Sequence, residues 1–363
     1  MFFVTLTYSE YKKAINKIKI PLNIMRAAIF EKPGLENLKV IDNAVEPKIS
    51  EHDVLIRIKV TGVNPIDHFV VSGALPKVNP LPHIPGAESS GIVEEVGSHV
   101  NTNNIKKGDR VVVHNKVFDG TCDMCLHGLD MLCRNGGLIG AITNGGFAEY
   151  IAVPERNVFK IPDDMDWSLA ASLPVTSLTP YHALKDASLK INEYLLVLGA
   201  SGSTGMIAVQ LGKKMGGMVI AVSKHSWIKT DFGADYIITD YDRVVEKVKE
   251  ITNGKMADVV LNSLGANTWN TSFESVGING RWVAFGGLTG ADVQLNVQSL
   301  YSKQIKLIGS TGGTRKELQE LVNTSSKQLK VRVWKKFKLE DVKEALQALF
   351  AKERDGRILL YVT

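Results

Sequence analysis

The chain is poor in cysteine, with three among its 363 residues. Three cysteines cannot build a disulfide framework. No apolar run approaches the ~18 residues that a membrane span needs, so no membrane partner is expected. The apolar start, Met1 to Leu6, has no basic region before it and no small-residue cleavage site after it, unlike a signal peptide. These absences predict a cytoplasmic protein.

The chain also lacks a strong charge of one sign. It has 43 basic and 38 acidic residues, a net charge of +5. Residues 1–24 hold four lysines against one glutamate, so the remaining chain is nearly balanced. This excludes nucleic acid as an expected main partner. The length predicts two domains, and a composition of 44% hydrophobic and 22% charged residues is typical of globular proteins.

Residues 1–24 are predicted to form an N-terminal extension, because the pattern of residues changes at Met25. From Met25 to Val175 the pattern is mostly β, with alternation at Val54 to Val60 and again at Ser90 to Val96. From about Thr176 short apolar runs recur at helix-sized intervals. This pattern predicts an α/β fold in which a mostly β domain is joined to a doubly wound parallel sheet.

A glycine-rich turn follows the apolar run Tyr194 to Leu198 and precedes a predicted helix. The turn reads Gly199-Ala200-Ser201-Gly202-Ser203-Thr204-Gly205. Between a buried strand and a helix, such a turn is typical of dinucleotide binding: glycines allow close approach, and the helix N-terminus supplies free N–H groups. The predicted cofactor-binding residues here are Ala200, Gly202, Ser203, Thr204 and Gly205. A purely structural turn is the alternative.

The next predicted strand ends at Val222-Ser223-Lys224. An NAD site usually carries Asp or Glu there to bind the ribose 2′-OH. No acidic residue lies between Glu193 and Asp231, whereas Ser223 and Lys224 could bind a 2′-phosphate. The sequence therefore favours NADPH, although Lys224 as a plain surface lysine is the alternative.

All three cysteines fall in one turn-rich stretch, spaced with an aspartate as Asp119, Cys122, Cys125 and Cys133. Three thiolates and a carboxylate complete a tetrahedral zinc shell, and four ligands from one loop indicate a structural ion rather than a catalytic one. We therefore predict one structural zinc. Inert reduced thiols are the alternative, but free cysteines prefer buried positions rather than polar loops.

The glycine turn, the cysteine loop, Lys107-Gly108-Asp109-Arg110-Val111 and Gly62-Val63-Asn64-Pro65 together resemble the medium-chain dehydrogenase/reductase superfamily over about residues 25–363. The resemblance implies a GroES-like catalytic domain built from residues 25–175 and 312–363 around a Rossmann domain at 176–311. It also implies a homodimer or homotetramer.

Zinc alcohol dehydrogenases of this superfamily hold a second, catalytic zinc. At the matching positions this chain has Asn64, Ala87 and Val175, none of which supplies a thiolate or imidazole. Gly62 to Pro65 and Ser172 to Thr176 instead resemble the quinone oxidoreductase branch, which works without that metal.

The resemblance assigns further roles. Asn64 and then Thr176 become the candidate catalytic hydrogen-bond donors. The backbone at Phe285 and Gly286 would meet the nicotinamide, and Arg357 resembles a cofactor-facing basic residue, with a surface position as the alternative.

The predicted activity is NADPH-dependent hydride transfer to a small electrophile, a quinone or an α,β-unsaturated carbonyl, without a catalytic metal. Two alternatives stay open. One is a zinc alcohol dehydrogenase with misaligned ligands. The other is an NADPH-binding protein with little catalytic activity, since no obvious acid or base residue stands out.

Overall fold

A computed structural model describes residues 23–75, 81–325 and 328–362. The predicted extension at residues 1–24 lies outside the described residues apart from its last two. Within the described part, the two largest sheets are a seven-stranded one and a six-stranded one, and each is the centre of its own α/β or mostly β unit.

The described strands are short and evenly distributed along the chain. In order they are β1 Ile24–Ile29, β2 Lys39–Val45, β3 Asp53–Gly62, β4 Glu88–Val96, β5 Arg110–Val113, β6 Lys116–Val117, β7 Gly137–Leu138, β8 Tyr150–Pro154, β9 Val158–Lys160, β10 Tyr194–Leu198, β11 Met218–Val222, β12 Tyr236–Ile238, β13 Ala257–Asn262, β14 Val276–Ala284, β15 Lys306–Gly309, β16 Val333–Lys338 and β17 Arg357–Tyr361.

The described α-helices lie mostly in the second half of the chain. They are α1 Pro65–Ser72, α2 Asp123–Leu126, α3 Trp167–Ala170, α4 Leu178–Asp186, α5 Ser203–Lys214, α6 Trp227–Thr230, α7 Val244–Ile251, α8 Trp269–Glu274, α9 Val297–Ser302, α10 Arg315–Ser325 and α11 Val342–Gln347. A turn of π-helix, Leu173–Ser177, precedes α4. No helix among the described residues is long and apolar enough to cross a membrane.

The seven-stranded sheet runs in the order β16-β17-β3-β4-β5-β9, with β8 also paired to β3. β3 is its organising strand, because Val54, Ile56 and Ile58 are fully buried in one apolar core. β17, from the end of the chain, pairs antiparallel with β3. The two ends of the chain thus share one core, and the residues between them form the second unit.

The six-stranded sheet is parallel throughout, in the order β12-β11-β10-β13-β14-β15. Along the central strand β10, Leu195 and Val197 enter one core while Leu196 and Leu198 enter another on the opposite face. Burial on both faces explains why this strand is apolar without alternation. The predicted fold class, a GroES-like domain with a Rossmann domain, is confirmed.

Some elements escaped the sequence analysis. The pattern predicted a first domain with no long helix, but α1 follows β3 directly, with Pro65 at its first position and Gly73 in a left-handed conformation at its end. The hairpin β1–β2 and the strand β16 were also missed. β2 and β16 are partly exposed, and none of the three strands shows a clean apolar–polar alternation.

Candidate functional site

A cleft of about 280 Å³ lies between residues of the two sheets. The first unit contributes residues at the start of α1 and at the π turn, and the second contributes the glycine turn and the loops after β13 and β14. The lining residues that matter below are Asn64, Val175, Thr179, Gly202, Ser203, Thr204, Phe285, Gly286 and Arg354. The cleft lies at the carboxyl ends of β10, β13 and β14, the usual place for a nucleotide in a doubly wound sheet.

The glycine turn shapes one wall of the cleft. Gly199 has a φ of +66°, and a Cβ on Gly205 would collide with the carbonyl oxygen of Gly199. The first turn of α5 therefore packs directly on the end of β10, and its N–H groups face the cleft. Gly202, Ser203 and Thr204 line the cleft, whereas Ala200 and Gly205 lie behind it and give the turn its shape.

A second hollow adjoins the end of β11. It contains Lys224, His225, Lys352 and Arg354, together with the carboxylates of Asp240 and Asp242. Lys224 is exposed, and its ammonium group lies 5.8 Å from the ring centre of Tyr241. Ser223 is fully buried, and its hydroxyl accepts a hydrogen bond from the N–H of His225. Lys224 is thus open to a ligand, whereas Ser223 supports the turn.

Glu88 is a fully buried carboxylate beneath the cleft. Its Oε1 accepts the N–H groups of Val175 and Thr176 at 2.7 and 2.8 Å. Its Oε2 accepts the side chains of Asn64 and Thr176 at 3.0 Å each and pairs with the guanidinium of Arg357. The π turn at 173–177 presents its two N–H groups to one carboxylate, a local irregularity of the kind that recurs at functional sites.

The three positions matched to the catalytic-zinc ligands are held by two buried carboxylates, Glu88 and Asp67. The amide of Asn64 and the backbone of Val175 both bind Glu88, and the N–H of Ala87 donates to Asp67 at 2.8 Å. Neither a thiolate nor an imidazole is present among these three. Among the described residues, the group of three or more potential metal ligands lies elsewhere, in the cysteine loop. The donor set at the cleft therefore does not fit a catalytic zinc.

Asp67 is the second buried acid below the cleft. Burial raises its pKa to about 7, and the N–H groups of Asn64 and Ala87 oppose that rise by donating to its two oxygens. Asp67 thus ties the start of α1 to the residue before β4 and holds the cleft floor together.

The two predicted catalytic residues have different positions. Asn64 lines the cleft, but its amide nitrogen already donates to Glu88 and, at 3.4 Å, to the carbonyl of Gly62. Thr176 is fully buried and its hydroxyl donates to Glu88, so it has no access to a substrate. Thr179 was not predicted as a site residue; it lines the cleft, and its hydroxyl makes no hydrogen bond within the described residues.

The position of Arg357 corrects an expectation. Its side chain is fully buried, donates to the carbonyl of Val63 at 2.5 Å and pairs with Glu88, so it neither faces the cleft nor lies on the surface. Arg354 lines the cleft instead and donates to the hydroxyl of Ser203 at 2.6 Å. The strand begins at Arg357, so the preceding loop, not the strand, carries the arginine that faces the cleft.

The cysteine loop brings its four predicted ligands together. The ligand atoms of Asp119, Cys122, Cys125 and Cys133 all lie within 4.8 Å of one another. The sulfurs of Cys122 and Cys133 are 3.8 Å apart. Two sulfurs bound to one tetrahedral zinc at 2.3 Å would be separated by about 3.8 Å, so the arrangement fits the ion.

The aspartate of the loop is held as a carboxylate. The N–H groups of Cys122 and Thr121 and the amide of Asn135 donate to Asp119 and lower its pKa far below its ordinary value. Arg134 pairs with Asp123 at the start of α2 and closes the loop from outside. All four ligand positions are filled by the chain, which leaves no open coordination site for a substrate.

Comparison with known proteins supports these features. Residues 50–163 match the alcohol dehydrogenase GroES-like domain, and residues 203–327 match the zinc-binding dehydrogenase family. An NAD-dependent alcohol dehydrogenase of Sulfolobus acidocaldarius is 32% identical over 351 residues, covering 93% of this chain and 100% of that protein. The chain belongs to the medium-chain dehydrogenase/reductase superfamily.

Other members of the superfamily extend the comparison. Human quinone oxidoreductase is 27% identical over 305 residues, or 82% of this chain and 84% of that protein. The cobalt- and zinc-bound alcohol dehydrogenase of Pyrobaculum aerophilum is 39% identical, with a TM-score of 0.86 over 93% of this chain and 100% of that one. The protein is an oxidoreductase of this superfamily, as predicted, and its cleft and cysteine loop fit a nicotinamide cofactor and a zinc ion.

Proposed function

We propose that the protein uses NADPH to reduce a quinone or an α,β-unsaturated carbonyl, with no metal at the reacting centre. The observation that carries this proposal is the cleft floor. Asn64, Ala87 and Val175 replace a ligand set, and the carboxylates beneath them are already bound by backbone N–H groups, Asn64 and Arg357. Without a Lewis acid, an alcohol would keep its high pKa, whereas a conjugated carbonyl needs no such activation.

The residues around the cleft have separable tasks. When bound, NADPH supplies the hydride. The first turn of α5 and Arg354 bind phosphate oxygens, and Phe285 and Gly286 border the nicotinamide end. Thr179 offers a hydroxyl that stabilises the oxygen on which negative charge develops. Ile66 and Phe69 are apolar neighbours that keep water away from this end of the cleft.

The chosen test combines substrate and metal measurements. We expect steady-state reduction of 1,4-benzoquinone and of 2-cyclohexenone with NADPH, no oxidation of ethanol or benzyl alcohol with NADP⁺, and one zinc per subunit by elemental analysis. Two zinc ions per subunit together with alcohol oxidation would overturn the proposal. That outcome would favour the second candidate, a zinc alcohol dehydrogenase, which the similarity to the Sulfolobus acidocaldarius enzyme supports.

The cofactor preference rests on Lys224. Its exposed ammonium in the hollow after β11 has no carboxylate partner among the described ion pairs, and β11 itself ends without the acid that binds the ribose 2′-OH in an NAD site. The carboxylates of the same hollow, Asp240 and Asp242, come from the segment after β12. We expect Lys224→Ala to raise the KM for NADPH roughly tenfold, about 1.4 kcal/mol, and to leave the KM for NADH unchanged. Lys229→Ala is the matched control on the same surface. Equal affinities of the unchanged protein for NADPH and NADH would rule out the preference.

We also propose a homodimer or homotetramer. β15 is an edge strand of the parallel sheet, and the chain leading into it exposes Val293, Leu295, Val297 and Tyr301, followed by Leu307 on the strand itself. An open strand edge flanked by apolar side chains is typical of a surface that another chain covers.

A further inference from the structure

We infer that Asp355 is a positioning residue that aims Arg354 at the diphosphate of the cofactor. The inference rests on the proposed function to the extent that it requires a nicotinamide dinucleotide in the cleft. The two residues are consecutive, in the loop between α11 and β17, and each reaches a different point of the parallel-sheet unit. Arg354 contacts the first turn of α5, and Asp355 contacts the segment after β11.

Asp355 is the centre of a four-residue clasp with His225, Trp227 and Arg332. Its Oδ1 accepts the indole N–H of Trp227 at 2.5 Å and lies 3.2 Å from Nδ1 of His225. Its Oδ2 accepts Arg332 through Nη2 at 2.7 Å and Nε at 3.2 Å. The carboxylate therefore joins two side chains of the parallel-sheet unit to one that precedes β16.

Ring contacts tighten the same clasp. The rings of His225 and Trp227 are stacked with centroids 6.0 Å apart, and the guanidinium of Arg332 lies 5.0 Å from the Trp227 ring centre. Phe232 meets Trp227 edge-on at 5.2 Å. Trp227 is thus fixed by its neighbours, so its indole N–H is a rigid anchor for Asp355.

Arg354 has more N–H donors than its hydrogen bonds within the described residues use. A guanidinium carries five N–H groups. Three of them serve the hydroxyl of Ser203 and the carbonyls of Leu349 and Gly356. Burial lowers the pKa of Arg354 to about 10, so it remains a cation at neutral pH. Two N–H groups remain, one on Nη1 and one on Nη2, and Arg354 lines the cleft together with Gly202 and Ser203, where the helix N-terminus favours an anion.

The clasp and the arginine are mechanically linked because they share a backbone. With Asp355 bound on both oxygens, the loop at 351–356 cannot move away from α5 without breaking hydrogen bonds to Trp227 and Arg332. If the Asp355 carboxylate loses these hydrogen bonds, the guanidinium of Arg354 keeps its charge but is no longer held in one orientation. The diphosphate is common to NADPH and NADH, so both cofactors should lose affinity, unlike the effect of Lys224, which is confined to NADPH. Arg354 also borders the hollow that holds Lys224, so the loss for NADPH should be at least as large as the loss for NADH.

The test is a double-mutant cycle on the full-length protein. Dissociation constants for NADPH and NADH are measured by nicotinamide fluorescence for the unchanged protein, Asp355→Ala, Arg354→Ala and the double variant, with melting temperatures recorded in parallel. Asp355→Asn, which preserves the shape of the side chain, is the second variant in case Asp355→Ala does not fold. Asp164→Asn, an exposed aspartate far along the chain, is the matched control.

We expect Asp355→Ala to weaken NADH binding roughly 5- to 20-fold and NADPH binding by at least as much, with kcat at saturating cofactor unchanged. The double variant should bind no more weakly than Arg354→Ala, because Asp355 acts through Arg354. Additive losses, or a lower melting temperature with both dissociation constants unchanged, would overturn the inference. If the proposed preference for NADPH over NADH is wrong, this is seen separately, as equal affinities for the two cofactors in the unchanged protein.

Discussion

Glu88 shows how single residues define the chemistry of the cleft. Removing one partner of a buried ion pair leaves an uncompensated charge and typically costs about 3–5 kcal/mol. Here the partner of Glu88 is Arg357, which is as fully buried as Glu88 itself. The arginine and the surrounding donors keep a carboxylate in place at a position with no metal ligand above it. The floor of the cleft is therefore a fixed polar support, and the reactive contacts have to come from residues on its rim.

Thr179 is a rim residue whose hydroxyl makes no hydrogen bond within the described part of the chain. We expect Thr179→Val to lower kcat for enone reduction by roughly 10²-fold at saturating NADPH, because a developing oxyanion loses its hydrogen bond. Thr179→Ser keeps the hydroxyl and should retain most of the activity. Asn64→Ala is the informative comparison, because its amide already serves Glu88.

For Asn64→Ala we expect a free energy of unfolding lowered by about 1–3 kcal/mol, the cost of a lost donor to a buried carboxylate, with a smaller effect on kcat than Thr179→Val. Steady-state kinetics and thermal unfolding on the same preparations check both variants. A larger loss of kcat in Asn64→Ala than in Thr179→Val would restore Asn64 as the catalytic donor that the sequence suggested.

The sequence located the cleft residues better than it assigned their roles. Asn64, Gly202, Ser203, Thr204, Phe285 and Gly286 line the cleft as expected. Thr176 and Arg357 do not line the cleft, because their side chains point away from it. In each case a residue three positions away in the chain, Thr179 or Arg354, lines the cleft instead. The sequence alone does not show which of Arg354 and Arg357 faces the cleft, because that depends on where β17 begins.

At the scale of elements, the cysteine loop is a local unit held by its own ligands. Structural zinc contributes its binding energy to folding. We expect Cys133→Ser to lower the melting temperature by several degrees or more, while the surviving folded fraction keeps its KM for NADPH, because the loop does not line the cleft. Differential scanning calorimetry and zinc analysis check this. Arg134→Gln, beside the ligands but not one of them, is the control; immediate loss of turnover on chelation of an intact fold would mark the metal as catalytic.

The contact between α4 and α10 should make stability depend on pH. Burial by itself lowers the pKa of His182, but Glu317, 2.9 Å away, and Asp186, 3.3 Å away, outweigh it and raise the pKa overall, against a small opposing effect of Lys185. A raised pKa means that protonated His182 stabilises the fold below its unfolded pKa of about 6.5, and that this stabilisation is lost as pH rises through the folded value.

We therefore expect the melting temperature to fall as pH rises from about 6 to 8, and we expect His182→Gln to flatten that slope. The matched control is His99→Gln, since the side chain of His99 is 57% exposed beside Glu51 and such pairs contribute little. Thermal melts in buffers of equal ionic strength provide the measurement. A slope in His182→Gln as steep as in the unchanged protein would contradict the assignment.

Elements were predictable where burial forces a pattern. β10, β11, β13 and β14 each appeared as an apolar run, because a strand buried on both faces has little room for polar side chains. The edge strands β12 and β15 also appeared as short apolar runs, although they are only partly buried. β1, β2 and β16 were not predicted, since none of them is a continuous apolar run or a clean apolar–polar alternation. The start of α1 was hidden by Pro65, which in a strand-rich stretch indicates a turn as readily as the first position of a helix.

At the scale of the whole molecule, the order of the strands in space could not be read from the sequence. β17 closes against β3 across almost the entire chain, and the resemblance to a known family, rather than any local pattern, predicted that the two ends share a domain. Contacts of such long range leave no periodic trace in the sequence. The same holds for the cleft, which exists because this closure brings Arg354 and α1 to the edge of the parallel sheet.

The last prediction concerns assembly through that sheet. β15 pairs with β14 on one side, and its other edge is open among the described strands. Side chains on and before it are exposed to an extent unusual for their type: Tyr301 is 66% exposed and Leu307 is 40% exposed.

We expect sedimentation of the unchanged protein to give at least twice the mass of one chain. Tyr301→Ser together with Leu307→Lys should shift it to the monomer, because a buried lysine at a strand edge opposes pairing. Ile191→Ser, which changes an even more exposed apolar residue before β10, should leave the mass unchanged. A monomer in the unchanged protein, or an oligomer that survives the double substitution, would show that another surface, or none, joins the subunits.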